Sequence, residues 1–178
     1  MGFQDIRDYL AYNPETGDFH WIKPRTNRVK VGDKAGYMRP DGYCLHRCMG
    51  KCYYAHRLAW WFVHGEMPPA EIDHINGNPS DNRIANLRLA THAENHKNRR
   101  AEVGGSSRYK GVSLFARTGR WKAEVVGNGQ SKYLGYFDTE LQAAKAYDLA
   151  AFALHGSFAR LNFHSPPDPL AGMTRGEQ

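Results

Sequence analysis

Residues Glu71 to Arg100 read EIDHINGNPSDNRIANLRLATHAENHKNRR and gather most of the chemically useful side chains of this chain. Asp73 and His74 stand side by side at the end of a short apolar segment. Asn86 follows a long turn rich in Asn, Gly, Pro, Ser and Asp, and Asn95 lies beyond Thr91. A carboxylate and an amide oxygen are hard donors that suit Mg²⁺, which keeps several waters and completes its shell with phosphate oxygens. An imidazole next to them takes a proton from water near neutral pH. A divalent cation beside that base offsets the charge that develops when a phosphodiester is attacked. The combination suits one-metal phosphodiester hydrolysis.

Positioning these groups takes four elements. The apolar segment before Asp73 and the run Leu87-Arg88-Leu89 read as strands on either side of the polar turn. Thr91 with Glu94 three residues later is a capping box, so a helix starts there and carries Asn95 about one turn in, pointing back toward Asp73 and His74. His92 and His96 form a second ligand-type pair, because i and i+4 share one helix face. They read as flanking residues that face phosphate or solvent.

On the residues DH, N and N at these intervals, within IDHINGN, SDNR and NLR, the stretch resembles the HNH (ββα-metal) nucleases. The likeness is to the phage and intron homing endonucleases, in which Asn replaces the last His of the motif. The resemblance implies a ββα-metal module. In it Asp73 and Asn95 hold one Mg²⁺ or Mn²⁺ ion, and His74 is the general base. Asn86 braces the two-strand finger and orients that base. It also favours Asn95 over His92 and His96 as the second ligand. The leader YNPETGDFHW and the HRL…W…G segment before Asp73 are of the same type.

Upstream, Phe3, Ile6, Tyr9 and Leu10 predict one short amphipathic helix, then a turn at 13–18 and a strand at 19–22. Residues 23–36 carry Lys23, Arg25, Arg28, Lys30 and Lys34, a basic loop that tracks phosphates or simply faces water. Tyr43 to Arg47 and Lys51 to Tyr54 predict a hairpin around Met49-Gly50. Cys44, Cys48 and Cys52 lie on it. Their every-fourth spacing is not that of a zinc knuckle, so free thiols are expected. Residues 55–65 predict a buried helix with Gly65 as its cap.

Gly104-Gly105-Ser106-Ser107 reads as a linker between basic flanks at Lys97, Arg99, Arg100 and Arg108. It puts a boundary between a first domain, 1–103, and a second, 104–163. The second shows strand patterns at 109–115, 120–126 and 131–136. A capping box at Thr139 and Gln142 then opens an Ala-rich helix to about Leu154. Trp121, Ala123 and Val125 alternate toward that helix, which leaves Lys122, Glu124 and Val126 on the open face. YKGV, GRWKAE, LGYFDT, AAKAYD and LNF, all in order, resemble the plant Apetala (ethylene-response-factor) DNA-binding domain. That resemblance implies a three-stranded sheet on one helix that reads the major groove. The contacts it implies are Lys110, Ser113, Phe115, Arg117, Arg120, Lys122, Glu124 and Tyr133. Ser113, Phe115 and Val126 stand where plant members carry basic residues, so phosphate contact outweighs base reading. The fold class expected for the whole chain is α+β, with a disordered tail at 164–178.

Composition agrees. The 178 residues carry a net charge of +6 and a pI of about 9.3, which favours a polyanionic partner. Three Cys cannot complete a disulfide framework and suit a reducing cytoplasm. No signal segment and no bilayer-length apolar run is read, so no membrane partner is expected. The expected activity is a monomeric, metal-dependent endonuclease on double-stranded DNA that needs no small organic cofactor. The alternative is a sequence-specific DNA-binding regulator with a vestigial nuclease site.

Overall fold

The computed structural model of the chain describes residues 4–24, 26, 28–48, 50–98, 105–127 and 129–163. Phe3, Arg25, Met49, Arg99, Arg100, Gly104, Asn128, the His96 side chain and the expected tail at 164–178 lie outside them. The chain is mixed α/β and divides into two compact units after Asn95, earlier than the Gly/Ser run. No helix among the described residues is long and apolar enough to cross a membrane.

In the first unit, α1 (Gln4–Arg7) leads to β1 (Leu10–Tyr12), which pairs antiparallel with β2 (Phe19–Trp21) in the register Leu10 to Trp21. This corrects the single helix expected through Leu10. The pattern Ile6, Tyr9, Leu10 fits helical spacing, but Leu10 is buried through a strand pairing that only the partner strand reveals. The hairpin β4 (Cys44–Cys48) and β5 (Lys51–Tyr54) forms as expected and gains β3 (Tyr37–Met38) on one edge. α2 (Ala55–His64) runs directly on from β5 and buries Ala55, His56, Leu58, Ala59 and Trp61. Gly65 ends it in the left-handed conformation, donating its N–H to the Trp61 carbonyl at 2.9 Å. The Arg7 guanidinium stacks on the Trp61 ring and donates to the Trp61 and Phe62 carbonyls, so a cation sits at the carboxyl end of that helix. The core joins Ile6, Leu10, Phe19, Leu58, Ala59, Trp61, Ile72 and Leu87.

Two antiparallel strands and a helix follow: β6 (Glu71–His74), β7 (Leu87–Ala90) and α3 (His92–Lys97). A 3-10 turn at Ile84–Asn86 leads into β7. The capping box opens α3 as expected: Glu94 accepts from Thr91 N at 2.8 Å, and Glu94 N donates to Thr91 Oγ1 at 3.3 Å.

In the second unit, β8 (Val112–Phe115), β9 (Arg120–Gly127) and β10 (Gln130–Phe137) form an antiparallel sheet with β9 at its centre. α4 (Glu140–His155) starts at the Thr139–Gln142 capping box. Ala143, Ala144 and Ala151 are fully buried, which lets the helix lie close to Ala123 and Val125 of β9. Gly111 is needed for the same closeness. Its φ is +73°, and a Cβ there would run into the Tyr147 ring and the Glu124 carbonyl oxygen. The buried Asp148 accepts from the backbone N–H groups of Asn162 and Phe163, and the Asn162 side chain is bonded both ways to the Lys110 backbone. The last described residues are thereby tied to the start of the sheet.

Candidate active site and nucleic-acid interface

The connection from His74 to Leu87 holds its shape through its own Asn and Asp side chains. Asn76 Oδ1 accepts from Asn78 N at 2.8 Å, and Asn78 Oδ1 accepts from Ser80 N at 3.2 Å. Asp81 takes two hydrogen bonds from the Arg83 side chain, and that guanidinium holds its carboxyl down to about 2. Asn86 closes the loop. It donates to the Asp81 carbonyl at 2.8 Å and to Asn76 Oδ1 at 3.1 Å, and it accepts from Asn76 N at 3.0 Å. These bonds make Asn86 a brace of the connection between the two strands.

His74 is buried and packs against the His56 ring at 5.1 Å and the Tyr43 ring at 5.9 Å. Burial lowers its pKa, an effect opposed by its hydrogen bond to Asn82 and by the charge of Asp73, so the ring is neutral at physiological pH. The amide in contact with it is Asn82, whose Oδ1 lies 3.3 Å from His74 Nε2. Asn82 is buried too, and the Tyr12 hydroxyl donates to its carbonyl at 2.8 Å. Burial pushes that phenol up to about 12, so it stays a donor. Asn82 does not stand out in the sequence because it is one of many polar residues in a turn. Its place within SDNR is the available signal.

On β6, Glu71 and Asp73 share one side of the strand, as residues two apart must. Asp73 is buried opposite its cross-strand partner Arg88, which donates to Asp73 Oδ2 through Nε at 2.8 Å and Nη2 at 2.5 Å. Asn95 donates to Glu71 Oε2 at 2.9 Å, and His92 Nδ1 lies 2.9 Å from Glu71 Oε1. Glu71 therefore ties His92 and Asn95 of α3 to β6. Neither Glu71 nor Arg88 stands out in the sequence; Arg88 becomes visible only once the strand register is known. The hard-oxygen donors on this side are Glu71, Asp73 and Asn95, and no thiol is among them, which is the donor chemistry that suits Mg²⁺ or Mn²⁺. Among the described residues, no three His, Cys, Asp or Glu side chains are grouped to hold a metal ion. Cys44, Cys48 and Cys52 are free thiols; Cys48 is buried and Cys52 exposed.

In the second unit, Ser113 and Phe115 of β8 lie opposite Lys122 and Arg120 of β9. Lys122 is ion-paired with Glu124, which also accepts from Ser131 Oγ at 3.0 Å. Arg120 is held by Asp138 at 3.0 Å and by the Tyr136 carbonyl. Phe115, Tyr136 and Tyr133 form an aromatic row with ring centroids 5.1 and 5.4 Å apart. Arg117 is exposed in the turn after β8, and Lys110 precedes that strand. The sheet face away from α4 thus brings together Ser113, Phe115, Arg120, Lys122, Glu124 and Tyr133.

Comparison with known proteins gives two family matches, an HNH endonuclease over residues 53–97 and an AP2 domain over residues 107–157. An uncharacterized HNH endonuclease of Acanthamoeba polyphaga mimivirus, L560, is 35% identical over 127 residues, covering 71% of this chain and 65% of that protein. APETALA2-like protein 2 of Oryza sativa is 46% identical over 68 residues, 38% of this chain and 16% of the rice protein. The AP2-like ethylene-responsive transcription factor TOE2 of Arabidopsis thaliana is 46% identical over 67 residues, 38% of this chain and 14% of its own length. The chain spans only part of each of these relatives.

Proposed function

We propose that this chain, an HNH endonuclease segment followed by an AP2 domain, is a metal-dependent endonuclease of the homing type that hydrolyses phosphodiester bonds in double-stranded DNA. The observation that carries the reading is His74, a neutral buried imidazole one residue from the Asp73 carboxylate at the end of β6. In this reading Asp73 and Asn95 hold one Mg²⁺ or Mn²⁺ ion. When bound, that ion supplies positive charge against the scissile phosphate and the departing 3′ oxygen.

The chain's own groups do the rest. His74 takes a proton from water, and the hydroxide attacks phosphorus. The bond from phosphorus to O3′ breaks, leaving a 5′-phosphate and a 3′-hydroxyl that takes its proton from solvent. Asn86 keeps the connection between the strands in shape. The AP2 unit holds the duplex through Lys110, Arg117, Arg120, Lys122 and Tyr133, with Ser113, Phe115 and Glu124 between them.

A second reading has one observation in its favour. The Asp73 carboxylate is held by Arg88, as it would be in a DNA-binding protein whose nuclease site has fallen silent. Supercoiled plasmid incubated with Mg²⁺, and with EDTA, separates the two. The nuclease reading expects cutting with Mg²⁺ only, and a loss of about 10²-fold or more in His74→Ala at unchanged DNA affinity. Binding without cutting would establish the regulator, and wild-type rates in His74→Ala would remove His74 from the chemistry.

A further inference from the structure

We infer that Asn82 is the positioning residue for the His74 imidazole, and that Tyr12 at the end of β1 and the turn at residues 13–18 hold Asn82 in place. The inference rests on the reading of His74 as the base, and it concerns which ring nitrogen takes the proton.

The Asn82 amide has a defined direction. Its Nδ2 donates to the Ser80 carbonyl at 3.2 Å, which leaves Oδ1 as the end that faces His74 Nε2, 3.3 Å away. An amide oxygen only accepts, so the bond requires the proton on Nε2. In a neutral ring the lone pair then lies on Nδ1, and Nδ1 is the atom that takes the proton from water. A partner on the far nitrogen fixes both the tautomer and the ring angle.

Asn82 is itself clamped from a distant part of the chain. The Tyr12 hydroxyl donates to its carbonyl at 2.8 Å, across 70 residues of sequence. The Pro14 carbonyl accepts from Ile84 N at 3.2 Å. Gly17, at φ +76°, lies so close that a Cβ there would stand 2.5 Å from Arg83 N and 2.6 Å from the Asn82 carbonyl carbon. Backbone contacts therefore fix residues 82–84 from the side of the turn. The HNH match begins at Tyr53, so this clamp lies outside the matched segment. The YNPETGD leader thereby acquires a role at the catalytic end of β6.

The test uses the full chain without metal and reads the His74 ring by nitrogen–proton NMR, beside single-turnover cleavage with Mg²⁺. In the wild type the ring is expected to carry its proton on Nε2, in slow exchange with water. In Asn82→Ala the Nε2 proton exchanges fast. Cleavage falls about 10–100-fold, the usual cost of losing such an outer partner, at unchanged DNA affinity. Asn82→Asp keeps an acceptor and keeps the slow Nε2 proton.

Tyr12→Phe removes one hydroxyl and no packing, and lowers cleavage about fivefold, the factor one neutral hydrogen bond is worth. It serves as the milder variant if Asn82→Ala unfolds. An Nε2 without a proton in the wild type overturns the inference, and so does an exchange rate that neither Asn82→Ala nor Tyr12→Phe changes. Because the NMR readout needs no cleavage, it stands apart from the nuclease reading. A ring that loosens with no loss of cleavage supports the positioning and refutes His74 as the base.

Discussion

Replacing Arg88 by Met tests what the Asp73–Arg88 pair contributes. The Arg88 and Asp73 side chains are 17% and 4% exposed, so the pair is screened far less than a surface ion pair. Two donors of Arg88 converge on Asp73 Oδ2, at 2.8 and 2.5 Å. Hydrogen bonds to charged groups are worth about 1.5–3 kcal/mol each, and removing one partner of a fully buried pair costs about 3–5 kcal/mol. The edge of this pair reaches solvent, so Arg88→Met is expected to cost about 2–3 kcal/mol. Met keeps the apolar stem in place and removes only the charge and the donors. For a unit of this size that lowers the melting temperature by about 10–20 °C.

The second half of the experiment adds Mg²⁺. In the proposed reading, Arg88 and a divalent cation would compete for the same carboxylate, so removing the guanidinium is expected to tighten cation binding. A cation at 100 times its Kd adds about 2.7 kcal/mol of stability. Saturating Mg²⁺ is therefore expected to restore most of the loss in Arg88→Met and to raise the wild type less. Thermal unfolding in EDTA and in a Mg²⁺ series reads both effects. A variant that melts within about 2 °C of wild type in EDTA would reduce the pair to the value of a surface contact. Equal Mg²⁺ shifts in the two proteins would show that no cation competes at Asp73.

Acid should unfold the first unit through its buried histidines. Burial lowers His46 to about 4 and His56 to about 3, so the unfolded chain binds more protons below about pH 6.5. Their contribution is complete above pH 6.5 and is lost as pH falls toward those values, about 2 kcal/mol each by pH 5. Urea titrations at pH 7.5 and 5 measure the loss; His46→Gln is expected to remove about half of it, and equal stability at the two pH values would refute the account. Gly111→Ala forces a side chain to positive φ and into the Tyr147 ring, and is expected to cost about 3 kcal/mol or more. A melt of that variant at the wild-type temperature would contradict the geometry. Truncation at Gly104 is expected to leave a nuclease that binds DNA weakly, with a salt slope shallower by about 0.9 for each phosphate no longer neutralised. An unchanged slope across a salt series would mean that the AP2 unit does not hold DNA.

What is legible in the sequence follows from how far each interaction reaches along the chain. Both capping boxes span three residues, so Thr91 with Glu94 and Thr139 with Gln142 can be read directly and form as expected. The burial alternation of Ala123 and Val125 on β9 needs only the period of a strand. Leu10 reads as helix because the three-residue strand it opens carries too little pattern to outweigh helical spacing. Its identity depends on Phe19–Trp21 beyond the turn. Arg88 meets Asp73 across 15 residues, Asn95 meets Glu71 across 24, and Tyr12 meets Asn82 across 70. These pairings require the register of β6 with β7, or the docking of the leader turn. No spacing rule supplies either.

In the proposed reading, the same register constrains how Asp73 and His74 would share one substrate. Adjacent strand residues point to opposite sides. Asp73 accordingly meets Arg88, while His74 meets Tyr43, His56 and Asn82. On that reading, the place for one phosphate to meet both groups is the end of β6, where the strand stops and the chain turns. The backbone there is closed by Gly77 N donating to the His74 carbonyl at 2.7 Å and Ile75 N donating to the Asn86 carbonyl at 2.9 Å. The donors that shape this end come from the connection itself, which explains why Asn76, Asn82 and Asn86 are spent on internal hydrogen bonds. In the proposed reading, a scissile phosphate at that end would have the carboxylate side of β6 on one flank and the imidazole on the other, with the water to be deprotonated on the His74 side. On the same reading, substitutions at the buried Ile72 are expected to affect stability, and substitutions within residues 73–77 to affect rate.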